Sequence, residues 1–152
     1  MTNAARKALD IVTIQMKKTR KFLCDGNRIT MPQQAAQAFI GLVGNADREY
    51  FVAMHLDGKN RIVALHLVSQ GSLNQSLVTP RETFKSAILA NAAAIILAHN
   101  HPTGDLTPSH EDIAITRRLK ECGELIGIKI LDHVIVDTDT GESNSFVESG
   151  IL

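Results

Sequence analysis

The junction that most constrains this chain lies at residues 94–112, where the apolar run Ala94–Ala98 ends at His99-Asn100-His101-Pro102 and Ser109-His110-Glu111-Asp112 follows after a short loop. A five-residue apolar run reads as a buried strand, and in extended backbone residues i and i+2 point the same way. His99 and His101 can therefore aim at one point, with Asn100 turned away from it. Pro102 and Gly104 turn the chain, and Ser109 can cap a helix whose third position is Asp112. The carboxylate then sits in a first turn, where the helix dipole favours it. Two imidazoles and a carboxylate suit a zinc ion held by three protein ligands with a fourth position open to water. Such a water becomes acidic enough to act as a nucleophile near neutral pH, a carboxylate must move its proton, and a hydroxyl can meet the oxyanion that forms. Ser109 is placed for that last task. Capping alone would also explain Ser109 and Asp112, and Glu111 is a rival ligand that projects about 100° away on the same turn.

The chain around this junction is consistent with one compact domain. Its 152 residues are 44% hydrophobic and 21% charged, and no internal repeat or low-complexity tract interrupts them. Formal charge sums to zero but is unevenly spread. Residues 1–28 carry Arg6, Lys7, Lys17, Lys18, Arg20, Lys21 and Arg28 against Asp10 and Asp25, a net +5, so residues 29–152 carry −5. This basic segment leaves a weak nucleic-acid contact open, although no interleaved aromatics are present to stack bases, and a solvated arm explains it equally well. Cys24 and Cys122 form no CxxC pair, which argues against a disulfide framework and for a reducing cytoplasm as the expected home. No apolar run approaches the roughly 20 residues needed to span a bilayer.

Taken in order, residues 4–23 read as a weak helix followed by a turn at Asp25-Gly26-Asn27. Pro32 opens a clearer helix with Ala36, Phe39, Ile40 and Val43 on one face, closing at Gly44. Residues 48–57 and 61–69 alternate as strands around the turn Asp57-Gly58-Lys59-Asn60, giving a hairpin. Thr79-Pro80-Arg81-Glu82 predicts a capping box ahead of a helix carrying Phe84, Ala87 and Ile88. The helix after Ser109 has a predicted buried stripe of Ile115, Leu119, Cys122 and Ile126 and stops at Gly127, and Lys129–Val136 is a further strand. Residues 138–144 form a polar turn. His66 and His133 fall on predicted strands, as core or ligand-supporting groups rather than ligands.

These residues carry a resemblance. His99-Asn100-His101-Pro102-Thr103-Gly104-Asp105 with Pro108-Ser109 and Asp112 resembles the JAMM (MPN+) metalloprotease motif, His-x-His, seven residues, Ser-x-x-Asp. Glu49-Tyr50-Phe51-Val52, Leu56-Asp57, Asn60-Arg61, Pro80-Arg81-Glu82, Thr116-Arg117-Arg118-Leu119, Leu131-Asp132-His133-Val134-Ile135-Val136 and Ser145-Phe146-Val147-Glu148 with Gly150 narrow it to the bacterial RadC family, over Pro32 to Leu152. The resemblance implies an α/β (α+β) fold, with a mixed, curved sheet between helices in a cytidine deaminase-like sandwich. It implies zinc on His99, His101 and Asp112, Ser109 supporting the tetrahedral intermediate, and Glu49 as the catalytic glutamate, with Glu82 the fallback. A deaminase itself is disfavoured, because its His-x-Glu and Pro-Cys-x-x-Cys pattern is absent.

The expected organisation is a basic segment, 1–31, and a RadC-like JAMM/MPN domain, 32–152. Longer members carry a helix-hairpin-helix region, and residues 1–31 are too short to hold one, which weakens the family's DNA-repair label here. Thr103, where Ser is more usual, and His110 leave the ligand set intact. The expected function is zinc-dependent hydrolysis of a peptide or isopeptide bond in a peptide or protein substrate. A DNA-binding repair or mobile-element accessory and a non-catalytic, metal-stabilised interaction module remain the alternatives. No membrane partner is expected, and exposed strand edges leave a homodimer open.

Overall fold

The computed structural model describes residues 7–21, 24–71 and 78–152. Eight elements follow in chain order: α1 (Pro32–Val43), β1 (Glu49–Leu56), β2 (Ile62–Gly71), α2 (Pro80–Leu89), β3 (Ala94–His99), α3 (His110–Ile126), β4 (Lys129–Val136) and β5 (Ser143–Ser145). The strands form one mixed sheet in the order β2-β1-β3-β4-β5, antiparallel except for β3 with β4.

Both faces of the central strands are covered. Val52, Met54 and Leu56 of β1, with Ala94, Ile96 and Ala98 of β3 and Val134 and Val136 of β4, pack against Ala35, Ala36, Ala38 and Phe39 of α1. The alternate residues Phe51, Ala53, Ile95, Leu97 and Ile130 pack against Phe84 and Ala87 of α2 and Leu119 of α3. Each large side chain so buried contributes about 1.5–3 kcal/mol, so two opposed apolar layers hold β3 in the middle. The expected mixed sheet between helices is present, but the expected curved, cytidine deaminase-like sandwich is not. The sheet is open, neither curved nor closed: its edges β2 and β5 stand at opposite ends of a linear order, and β5 is only three residues long.

Three other expectations need correction. Residues 7–21 form no helix or strand and are exposed, with Leu9, Ile11, Val12 and Ile14 all in solvent; residues 4–6 and 22–23 lie outside the described residues. The helical spacing there has no sheet face to pack on. The α2 capping box is half made: Thr79 Oγ1 accepts the Glu82 N–H at 3.3 Å, but the Glu82 carboxylate turns to Lys85 Nζ at 3.2 Å. Of the stripe expected on α3, Leu119 is buried and Ile115 and Cys122 pack against the core, but Ile126 is half exposed, and the buried positions also include Asp112, Thr116 and Gly123. Gly123 is essential to that packing, because a Cβ there would lie 2.4 Å from the Ile128 carbonyl oxygen. The predicted stop of α3 is as expected, with Gly127 in the left-handed conformation at φ 77°.

Under α2, His55 is fully buried, with Nε2 3.1 Å from Ser86 Oγ, which also lies 2.8 Å from His66 Nδ1. Burial, helped by His66, pushes the His55 imidazole down to about 4. The unfolded chain therefore takes up a proton near the ordinary histidine value of 6.5 that the folded chain takes up only near 4. Stability is complete above that window and falls as pH drops through it, by an amount on the order of 3 kcal/mol. Urea midpoints measured from pH 7 to pH 4 should decline, and the decline should be shallower in His55→Gln; an equal slope in both proteins would exclude His55 as its source.

Candidate metal centre

Three elements meet at the C-terminal end of β3. His99 is the last residue of that strand and is fully buried, stacked on Phe51 with ring centroids 6.0 Å apart. His101 follows in the loop, where Gly104 (φ 75°) closes a turn by donating its N–H to the His101 carbonyl at 2.9 Å. Asp112 enters from the first turn of α3. There Ser109 Oγ accepts the Asp112 N–H at 3.0 Å while Asp112 Oδ2 accepts the Ser109 N–H at 2.8 Å, a reciprocal capping box. The cap thus holds the carboxylate as well as the helix end.

The three side chains converge on one point. His99 Nε2 lies 3.1 Å from His101 Nε2 and 3.3 Å from Asp112 Oδ1, and His101 Nε2 lies 3.3 Å from Asp112 Oδ2. These residues could hold a metal ion. Ligand atoms at zinc–nitrogen and zinc–oxygen distances in a tetrahedral site stand about 3.3 Å apart, so the spacing fits that ion. The donor chemistry fits too. The Asp105 carbonyl, 2.6 Å from His101 Nδ1, can only accept, so Nδ1 carries the proton and the Nε2 lone pair faces the cluster.

Electrostatics follow the same geometry. Burial by itself would raise the Asp112 carboxyl, but the adjacent His101 and His99 imidazoles and the Ser109 N–H outweigh it and hold the group far below the usual carboxylate range. The Asp112 carboxylate raises the His101 imidazole against the effect of burial, with the Asp105 carbonyl and the charges of Asp112 and Glu49 acting the same way.

Glu49 opens β1, two residues before Phe51, and Phe51 pairs with His99 in the antiparallel register. It therefore shares the face of Phe51, and its charge is felt at His101. Glu82 sits on α2, paired with Lys85 and felt at His66. Glu111 and His110 are exposed at the start of α3.

Two groups were not legible as site residues. Asn100 does point away from the cluster, and it clamps β1: its Oδ1 accepts the Tyr50 N–H at 2.8 Å and its Nδ2 donates to the Arg48 carbonyl at 2.9 Å. The backbone on both sides of Glu49 is thereby tied to the residue between the two histidines. Thr116 lies one helical turn after Asp112 on the same buried face, a spacing that could have marked it. The loop wall is tied down by Thr107 N–H to Asp105 Oδ1 at 2.8 Å and by Asn144 Nδ2 to the Leu106 carbonyl at 2.9 Å.

The chain is 57% identical over 126 residues to a UPF0758 protein of Pelobacter propionicus, covering 83% of this chain and 54% of that protein. It is 46% identical over 147 residues to one of Geobacter sulfurreducens, covering 97% of this chain and 62% of the relative. A Finegoldia magna UPF0758 protein is 49% identical over 115 residues, 76% of this chain and 52% of its own length. The chain thus spans about half the length of the curated relatives it matches. Residues 29–151 match the RadC-like JAB domain, and with the His99/His101/Asp112 cluster at the strand end this chain belongs to the RadC family.

Proposed function

We propose that this chain is a zinc-dependent hydrolase of the JAMM type, cleaving a peptide or isopeptide bond. The observation that carries the proposal is the convergence of His99 Nε2, His101 Nε2 and the Asp112 carboxylate to within 3.1–3.3 Å of one another at the end of a buried strand. These residues would hold zinc, which when bound supplies an acidified water and a Lewis acid for the scissile carbonyl.

The remaining steps belong to the chain's own groups. Glu49, held on the histidine face by the Asn100 clamp, takes the proton of the attacking water and passes it to the leaving amine. Ser109 uses its oxygen to accept the Asp112 N–H, and among the described residues its hydroxyl proton is given to no acceptor. That proton is available to the oxyanion of the tetrahedral intermediate, where one donor contributes a factor of about 10²–10³ in rate.

Asp112→Ala should lose the zinc that the wild-type protein carries, as measured by metal analysis of dialysed protein. Equal zinc in both would remove the metal site. Glu49→Gln should retain zinc and lower turnover by roughly 10²–10⁴. Undiminished turnover would exclude the assigned role. If His99→Ala lowers the melting temperature and no peptide or isopeptide substrate is cleaved by the zinc-loaded wild type, the hydrolase reading gives way to a metal-stabilised interaction module.

A further inference from the structure

His133 is a fully buried group beside the site that the proposed hydrolysis does not use. It reaches the site because β4 bulges. Ile130 pairs with Ile95 and Asp132 with Ile96, so Leu131 is extra, and the side chains beyond it exchange faces. His133 then pairs with Leu97 and shares the face of His99, wedged between Phe51 and Phe146 at ring-centroid distances of 5.3 and 4.6 Å. A polar ring in such an apolar layer is costly unless both nitrogens are hydrogen-bonded.

Both are. His133 Nε2 lies 2.7 Å from His99 Nδ1, and His133 Nδ1 lies 2.5 Å from Thr116 Oγ1. Thr116 Oγ1 in turn lies 2.6 Å from the Asp112 carbonyl oxygen. A carbonyl oxygen only accepts, and two oxygens at that separation need a proton between them, so the single hydroxyl proton of Thr116 is committed to Asp112. Thr116 Oγ1 must then accept from His133 Nδ1–H. A neutral imidazole has one N–H, so His133 Nε2 accepts, and His99 Nδ1 donates. Three protons are thereby ordered in one direction along four groups, leaving the Nε2 lone pair of His99 as the atom that faces His101 and Asp112.

We propose that His133 and Thr116 are positioning residues that fix the His99 tautomer and, by ending on the Asp112 backbone, set the separation of two of the three metal ligands. This rests on the metal-centre reading above. The chain of hydrogen bonds leaves one ligand and returns to another, so ligand identity and ligand spacing share one support. Reversing it would put a proton on His99 Nε2, where it would block coordination. Thr116→Val keeps the shape and removes the hydroxyl, whereas Thr116→Ser keeps the hydroxyl.

The test is zinc affinity by competition with a chromophoric chelator, beside long-range 1H–15N spectra of the imidazoles in zinc-loaded and metal-free protein. The expected wild-type spectrum has protonated Nδ1 and unprotonated Nε2 on His133. Thr116→Val and His133→Phe should weaken zinc binding about 10- to 100-fold. Thr116→Ser should retain the wild-type tautomer and bind zinc within about three-fold of wild type, the rescue expected if the hydroxyl is what matters. Melting of the metal-free variants reports folding separately, so Thr116→Ser and Thr116→Val remain informative if His133→Phe fails to fold. A His133 proton on Nε2, or unaltered zinc affinity in folded Thr116→Val, overturns this proposal alone. A wild-type protein that takes up no zinc overturns the metal centre, and this proposal with it.

Discussion

The antiparallel register that sets Phe51 against His99 carries the site. Residues of β1 and β3 alternate between an α1-facing layer and a layer facing α2 and α3, and both layers are apolar. A one-residue slip would move Phe51, Ala53, Ile95 and Leu97 to the wrong side and with them His99. The face that carries the candidate ligand His99 is therefore specified by ordinary core packing on both sides of the sheet. Asn100 extends the same register past the strand end, because its two hydrogen bonds to Arg48 and Tyr50 continue the pairing where the backbone ladder stops.

On that fixed strand the helix α3 has a mixed assignment. Its last turns pack as a core helix through Leu119 and Gly123, and its first turns bury Asp112 and Thr116 toward the cluster. Buried polar groups are tolerated only when each is hydrogen-bonded, and here each is: Asp112 by the Ser109 N–H, Thr116 by the Asp112 carbonyl, His133 by Thr116 and His99. On the opposite face the β4 bulge brings Asp132 into a comparable arrangement, accepting the Ser145 hydroxyl at 2.6 Å and the Val147 N–H at 3.1 Å, which ties β5 and the following turn to the sheet. One irregularity in β4 serves both faces.

Sequence patterning reached α1, the β1–β2 hairpin, β3 and the cap of α3, because each is written in local terms: apolar spacing, turn residues, and a Ser three positions before an Asp. The same logic misread residues 7–21, where Leu9 and Val12 keep helical spacing but stand in solvent. It found Leu119, Ile115 and Cys122 on the packed face of α3 but not the buried polar positions Asp112 and Thr116, which an apolar stripe cannot reveal. The bulge at Leu131 was invisible for a different reason. Ile130-Leu131-Asp132-His133-Val134-Ile135-Val136 has no strict period of two to be interrupted, and only pairing with β3 shows that one residue is extra. Sheet curvature, imported from the family resemblance, likewise depends on how strands pair over long range and not on any local signal.

Ser109 shows how closely folding and chemistry are joined here. Its oxygen caps α3, its backbone N–H holds the Asp112 carboxylate, and its hydroxyl proton has no acceptor among the described residues. Loss of the hydroxyl would remove a cap, at a cost of about 1 kcal/mol, together with the donor proposed above for an oxyanion. The backbone bond to Asp112 would survive, and so would the carbonyl contact from Thr116. The Asp112 carboxylate and the Asp112 backbone carbonyl are thus each held by a bond that does not need the serine hydroxyl. That independence leaves the hydroxyl proton available for a chemical role while the ligand geometry is maintained by the backbone and by α3 itself.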